Sequence, residues 1–283
     1  MGSVKNIRLI DWMERKVRPE MTQRASSNDG ARAESDFIRF EERASDHPLV
    51  ERVWRCHSER AAGFLSVAAT NFEMVVTRLA GKSFLTLRGP ETAATTMDCP
   101  GAGEWVAIRF KPGAFMPRFL LGNLRDHRDV TLPPATGRSF WLQGSALDYP
   151  DFENAETFVQ RLAGAGILVR DPMVEDTLQR RPQRVSLRSA QRHFLRSTGI
   201  TYAAFRQIER ARYATSLLRE GVPILDVVSR LGYFDQAHLS RSLTRFIGET
   251  PARIAQRQKQ LSFLYKISSM EKAIFLPEAA CSE

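Results

Sequence analysis

The stretch GYFDQAHLSR at residues 232–241 decides the fold of the second half of this chain, because a related stretch, VSLRSAQRHF, occurs at residues 185–194. At an offset of 49 positions, Asp235 matches Ser186 and Gly248 matches Gly199. Asp and Ser accept hydrogen bonds from the free N–H groups at a helix start, and Gly readily takes the left-handed conformation after a helix end. The repeat therefore predicts two helices, over 187–198 and 236–247.

Both predicted helices are amphipathic in the same way. At 100° per residue, one face is apolar and the other carries arginine and small polar residues. The apolar positions are Ala190, Phe194, Leu239, Leu243, Phe246 and Ile247, and the opposite face carries Arg188, Arg192, Arg196, Ala237, Arg241, Thr244 and Arg245. We expect each helix to pack on its apolar face and to present a cationic face outward.

A second, shorter helix precedes the later copy. Pro223 suits a helix start, and Gly232 suits the stop before Asp235 begins the next helix. This pattern is typical of a helix-turn-helix unit, whose second helix fits the major groove of DNA, where arginine can hydrogen-bond to guanine. One such copy could equally be an ordinary helix pair with a solvated face, but a repeated copy favours the DNA-binding interpretation.

The two copies are separated by a long segment without Gly or Pro. Residues 202–220 predict one continuous helix of about 30 Å. That length is close to the spacing of about 34 Å between successive major grooves on one side of DNA. One chain could therefore place both predicted helices on the same face of a duplex.

At about residues 172–256 the chain resembles the tandem helix-turn-helix domain of AraC/XylS transcriptional regulators. The residues that carry the resemblance are RVSLRSAQRHFLRSTGIT and, most specifically, GYFDQAHLSRSLTRFIGETP. The first half departs from the family pattern, because MVEDTLQRRPQ contains Pro182 and lacks the expected Gly. We therefore expect the helix that precedes the first copy of the repeat, the first scaffold helix, to be short or irregular.

The resemblance implies which residues contact DNA. The family's base-reading positions fall on Arg188, Gln191 and Arg192 in the first helix and on Gln236, Ala237, Ser240 and Arg241 in the second. We expect backbone contacts from Arg196, His238 and Arg245, of which the two arginines lie one turn beyond the central ones. The expected partners are double-stranded promoter DNA, RNA polymerase and a small-molecule effector, and the expected location is the bacterial cytoplasm, associated with the nucleoid.

The net charge of the chain is concentrated on the same segment. Residues 170–260 contain 16 Arg and one Lys against eight acidic residues, a net charge of +9, which equals the charge of the whole chain. A basic surface favours any polyanion, including RNA or an anionic membrane. RNA is disfavoured because the segment lacks an aromatic platform for stacking bases.

The first half predicts a β-rich domain. Short runs rich in Val, Phe, Trp and Thr occur between turns from about residue 48 to 145: VERVWRC, GFLSVAAT, FEMVVTRLA, KSFLTLRG and EWVAIRF. The predicted fold class is thus α+β, with a barrel or sandwich that the resemblance suggests is cupin-like, followed by an all-α tandem helix-turn-helix domain. The predicted boundaries are a poorly ordered arm (1–47, with a short helix near 7–15), a β-rich sensor-like domain (48–145), a linker helix region (146–169), the DNA-binding domain (170–260) and a C-terminal extension (261–283).

The linker region predicts a helix over 151–163 with an apolar stripe. The stripe consists of Phe152, Ala155, Val159 and Leu162, and Gly164 follows it. Packing into the core is the favoured role for this stripe, and a homodimer interface is the alternative.

The sequence predicts no cofactor, no metal and no catalytic site. Only His57 and His127 lie in the β-rich zone, without the His-x-His pair of a metal-binding cupin, and PGAGEW at 100–105 predicts a turn and not a nucleotide site. The three cysteines are widely spaced and predict reduced thiols. No apolar run reaches 18 residues, so we expect no membrane partner.

Two functional classes remain open from the sequence. The first is a sequence-specific DNA-binding transcriptional regulator, not an enzyme, controlled by a small molecule or partner at the β domain. The alternative is a barrel enzyme or small-molecule carrier with an appended DNA-binding domain. The effector-binding residues are not identified by the sequence.

Overall fold

The computed structural model describes residues 38–181 and 185–256 of the chain. The first part is built from strands and the second from helices, which confirms the predicted α+β class with a helix-turn-helix domain after a β-rich one. Closure of the strands into a cupin-like barrel stays a prediction. None of the helices in the described ranges is long and apolar enough to cross a membrane.

The β domain is organised around a six-stranded antiparallel sheet with the order β1-β2-β7-β4-β5-β9. Its strands are β1 (Ile38–Ala44), β2 (Val50–Ser58), β7 (Gly103–Phe110), β4 (Glu73–Leu79), β5 (Lys82–Arg88) and β9 (Val130–Thr131). Smaller sheets surround it: β10 (Pro134–Thr136), β11 (Ser139–Leu142) and β12 (Ser145–Asp148); β3 (Ala62–Ser66) with β6 (Thr95–Cys99); and β8 (Ala114–Phe115) with β13 (Val169–Arg170).

The two faces of the large sheet have different environments because side chains alternate along a strand. In β4, Met74 and Val76 face the apolar core of the domain. Glu73, Val75 and Thr77 on the same strand face a cleft. The sequence runs predicted as strands coincide with β2, β3, β4, β5 and β7, whereas β1, β6 and the short strands after β7 were not predicted.

The structure places two domain boundaries differently from the sequence prediction. Strand β1 lies inside the segment 1–47 that was expected to be a poorly ordered arm, and it pairs along its whole length with β2. Helix α1 (Ala155–Gly164) buries Ala155, Phe158 and Val159 in the β-domain core, so the segment 146–169 is part of that domain. This packing favours the core role of the apolar stripe over the dimer interface. The helix predicted near 7–15 lies outside the described residues.

The helical domain contains α2 (Pro172–Leu178), α3 (Leu187–Thr198), α4 (Tyr202–Arg219), α5 (Ile224–Arg230), α6 (Gln236–Ile247) and α7 (Pro251–Gln256). The repeat predicted the bounds of α3 and α6 correctly, and α2 is short, as the departure from the family pattern indicated. Between α3 and α6 lies the 18-residue helix α4, about 27 Å long. One apolar core joins these helices and includes Val67 and Ala68 from the β domain.

Candidate nucleic-acid interface

Helices α3 and α6 are the two helices predicted to read DNA bases, and we call them the reader helices. The Asp235 carboxylate accepts a hydrogen bond from the His238 backbone N–H at 2.6 Å, which fixes the start of α6. Gly248 ends the helix in the left-handed conformation, with φ of 80°. The four predicted inward residues, Leu239, Leu243, Phe246 and Ile247, are all buried. The opposite face is therefore the one that can approach a ligand.

Helix α3 repeats this construction. The Ser186 hydroxyl accepts a hydrogen bond from the Ser189 N–H at 3.2 Å, and Gly199 ends the helix with φ of 78°. Phe194 is completely buried and packs edge-on against Phe205, with ring centroids 5.5 Å apart. The two copies of the sequence motif thus form two helices with the same start, the same inward face and the same end.

The predicted base-reading side chains lie on the outward faces of these helices. Six of the seven are exposed, namely Arg188, Gln191, Arg192, Gln236, Ala237 and Arg241, and Ser240 is half-buried. Their accessibility follows from the helical period, because the apolar positions between them point into the core. Both faces are open to solvent in the same molecule.

The three residues predicted to contact the DNA backbone have different surroundings. The Arg196 guanidinium lies over the Phe115 ring of β8, 5.7 Å from its centroid, so it also contacts the β domain. Arg245 lies beside the neighbouring Phe246 ring at 5.0 Å. His238 is half-buried, and its Nδ1 accepts a hydrogen bond from the Phe234 N–H at 3.3 Å. His238 therefore also holds the turn before α6.

Tyr233 anchors this turn, and sequence analysis missed it. Its ring is 5% exposed, packs edge-on against His238 and lies under the Arg210 guanidinium, 4.2 Å from the ring centroid. Its hydroxyl lies 3.3 Å from the Ser242 hydroxyl, and burial raises the pKa of Tyr233 above its ordinary value. An aromatic residue directly after a helix-ending glycine was the available signal. Arg210 and Tyr233 connect α4, the long helix between α3 and α6, to the turn before α6. We call α4 the strut helix.

The β domain carries a second candidate site, a cleft of about 570 Å³ between the large sheet and the β3–β6 ribbon, which we call the β cleft. Its size suits a small organic ligand. Aromatic side chains form much of its wall: Phe40, Trp54, Phe64, Phe84 and Trp105. No sequence pattern indicated this site, because its residues come from strands far apart in the chain.

Charged residues line one part of the β cleft. Arg88 lies 3.4 Å from both Glu91 and Asp129. Burial raises the pKa of both carboxyl groups, and the positive charge of Arg88 opposes this rise. His127 Nδ1 lies 3.6 Å from Glu91 and is buried without a hydrogen-bond partner. This polar cluster beside aromatic walls can bind a ligand that has both an apolar body and a polar group.

The helical domain contributes one wall of the β cleft. Arg212 of α4 lines it and is 4% exposed. Its guanidinium lies 3.8 Å from Glu209 on the same helix, and Glu209 accepts a hydrogen bond from the Thr70 hydroxyl of the β domain at 2.5 Å. A ligand in the cleft would thus lie next to the helix that separates the two predicted reader helices.

Metal and thiol chemistry find no support among the described residues. Those residues contain no group of three or more His, Cys, Asp or Glu side chains that could hold a metal ion. Cys56 and Cys99 are free thiols, and burial raises the pKa of Cys56 to about 12. Cys56 is therefore protonated and a poor nucleophile near neutral pH.

Comparison with known proteins identifies the helical domain. A family described as a helix-turn-helix domain matches residues 183–257. The HTH-type transcriptional regulator RipA of Corynebacterium glutamicum is 34% identical over 98 residues, which cover 34% of this chain and 30% of RipA. The chain thus spans about a third of that relative, and no solved structure matches. Residues 183–257 are thus similar to a helix-turn-helix domain family, and part of the chain is similar to part of a transcriptional regulator.

Proposed function

We propose that this protein is a sequence-specific DNA-binding transcriptional regulator that inserts α3 and α6 into successive major grooves. The observation that carries the proposal is the structural repeat: two capped helices present arginine-bearing faces to solvent and are joined by one strut helix. The net charge of +9 on residues 170–260 supports it, because phosphate contacts supply much of the affinity for DNA.

The central residues of the two exposed faces read bases in this proposal. Arg192 and Arg241 occupy matching places, and each can donate two hydrogen bonds to a guanine edge. Arg188, Gln191, Gln236, Ala237 and Ser240 flank them on the same two helices. Arg196, His238 and Arg245 contact phosphates in this proposal.

The β cleft is the proposed effector site. Its aromatic walls and the polar cluster around Arg88 favour a small molecule with an apolar body and a polar group. Arg212 supplies a direct route from such a ligand to the strut helix α4. RNA polymerase is the proposed protein partner once DNA is bound, and a second copy of the chain is a further proposed partner.

The test is selection of duplexes from a random library by the full chain, followed by affinity measurements at several salt concentrations. Arg241→Ala should lower affinity at one operator position by about 1–3 kcal/mol and relax the preference there. Arg245→Ala should weaken binding to all sequences alike and reduce the salt slope by about one unit, since it would remove a phosphate contact.

Two exposed arginines of the β domain provide a charge-matched control. The double variant Arg118→Ala/Arg138→Ala removes as much charge as Arg192→Ala/Arg241→Ala and should leave sequence preference unchanged. Failure of the wild-type chain to enrich any sequence would contradict the proposed function. A uniform loss of affinity in Arg241→Ala, with all preferences kept, would show that Arg241 contacts the backbone.

A further inference from the structure

The most exposed large apolar side chain in the described part of the protein lies at the start of α6. Phe234 is 91% exposed, while the tyrosine before it is buried. Exposing a complete aromatic ring costs free energy relative to burying it. The Phe234 ring is therefore available to contact a partner outside the chain.

An apolar residue at this position usually has a structural role that Phe234 does not fill. The residue before a helix N-cap often packs against the fourth helical residue and so fixes how the chain enters the helix. Here the N-cap is Asp235 and the fourth helical residue is Leu239, which is completely buried. The exposure of Phe234 shows that its ring does not cover Leu239, and Tyr233 anchors the turn instead.

The backbone of Phe234 is nevertheless held firmly. Its N–H donates to His238 Nδ1 at 3.3 Å, and Asp235 directly after it caps the helix. Phe234 therefore enters the helix just before its first residues, Gln236 and Ala237, which are exposed too. A reader helix enters the major groove with its N-terminal residues at the base edges.

We propose that Phe234 is a specificity-determining residue that contacts the 5-methyl group of a thymine in the major groove. This inference rests on the proposed DNA-binding function. Apolar side chains, phenylalanine among them, recognise thymine by this methyl group, which neither cytosine nor uracil carries. Phe234 adds an apolar contact to the hydrogen-bonding residues Gln236, Ser240 and Arg241 on the same helix.

The test replaces single thymines by deoxyuridine, which removes only the methyl group. The full chain selects a duplex from a random library, and each thymine of that duplex is then replaced in turn. For the wild-type chain, one replacement within the half-site bound by α6 should weaken binding about four-fold, the effect of one buried methyl group. Phe234→Ala should bind the thymine duplex more weakly and should not respond to that replacement.

Two further variants control for folding and for general apolarity. Leu225 on α5 is also an exposed apolar residue, at 69%, and Leu225→Ala should keep the full response to deoxyuridine. Phe234→Leu retains an apolar side chain and should keep part of the response. Because Phe234 is exposed, Phe234→Ala should melt at the wild-type temperature.

Three results separate the alternatives. If the wild-type chain selects no sequence, the proposed function itself fails. If it selects a sequence but Phe234→Ala keeps the full deoxyuridine response, DNA binding stands and the role of Phe234 is overturned. If Phe234→Ala changes transcription from a test promoter while DNA affinity and thymine preference are unchanged, Phe234 contacts a protein, which also overturns the inference.

Discussion

Arg43 and Glu156 connect the first strand of the β domain to helix α1. Two guanidinium nitrogens of Arg43 lie 2.5 and 2.7 Å from the two carboxylate oxygens of Glu156, and one also donates to the Phe152 carbonyl at 2.7 Å. The hydrogen bond from Arg43 lowers the pKa of Glu156 from 4.5 to about 2. A carboxyl group whose pKa is lower in the folded state stabilises the fold above its unfolded pKa.

Glu156→Gln should therefore destabilise the protein most at neutral pH. We expect the free energy of unfolding to fall by about 1–2 kcal/mol at pH 7, in the range of charge-assisted hydrogen bonds. The loss should shrink as the pH falls below 4.5 towards 2, because the wild-type carboxylate then also loses its contribution. Denaturant unfolding across this pH range measures it, with Glu153→Gln as the control, since Glu153 is exposed and lies 3.9 Å from Arg55. An equal loss at pH 7 and pH 3 would refute the assignment.

Residue placement on the reader helices was predictable from the sequence, whereas residue partners were not. Helical periodicity and the repeat were enough to place Arg188, Arg192 and Arg241 on outward faces. The cation–π contacts of Arg196 with Phe115 and of Arg210 with Tyr233 depend on tertiary packing. No spacing in the chain indicates them, because the first joins residues 81 positions apart.

At the scale of elements, the glycines that end α3 and α6 have a second role. Both are left-handed, as the repeat predicted, and both also allow the β domain to approach closely. A Cβ added at Gly199 would lie 2.9 Å from the Leu121 carbonyl carbon in the 3₁₀ helix Leu121–Leu124. A Cβ at Gly248 would lie 2.8 Å from Leu65 of β3. Each reader helix therefore ends against the β domain.

Gly221 provides a matched comparison for Gly199. It is left-handed too, with φ of 84°, but an added Cβ would meet nothing within 4 Å. Gly221→Ala should thus show only the cost of the left-handed conformation, about 1 kcal/mol. Gly199→Ala should lower the free energy of unfolding clearly more than Gly221→Ala does, because the added methyl group would also collide with backbone atoms. Denaturant unfolding of both variants measures the difference, and equal losses would mean that the approach of the Leu121 backbone is not required.

Strand prediction succeeded where apolar residues are dense and failed where they alternate with charges. β4 and β5 are rich in Val, Leu and Phe, and their bounds were close to the predicted runs. β1 reads IRFEERA, and it is held by ion pairs with β2, including Glu41 with Arg55. Such a strand resembles a solvated segment by composition, which explains its assignment to a poorly ordered arm.

For the molecule as a whole, the loop after β3 and the residue before β6 join the two domains. The Ala68 N–H donates to the Phe246 carbonyl at 2.8 Å, and the Ala94 N–H donates to the Arg245 carbonyl at 2.9 Å. Both carbonyls belong to the last turn of α6, where helical carbonyls lack partners in the helix. The spacing of the two reader helices thus depends on the β domain as well as on α4. The sequence could not predict this docking, because it depends on backbone groups that every residue carries.

The hydrogen bond between Thr70 and Glu209 tests whether this docking is specific. Thr70 and Glu209 are 4% and 2% exposed, and Glu209 Oε2 is buried without a hydrogen-bond partner. Thr70→Val keeps the shape of the side chain but removes the donor, which leaves the carboxylate with fewer partners and should cost about 1–3 kcal/mol. Amide hydrogen exchange at Ala68 and Ala94 should accelerate, since both amides donate across the same interface.

Thr86→Val is the matched control, because the hydroxyl of Thr86 lies 3.2 Å from that of Thr131 within the β domain. It should leave exchange at Ala68 and Ala94 unchanged. If Thr70→Val also leaves it unchanged, the docking of the two domains does not depend on the hydrogen bond between Thr70 and Glu209.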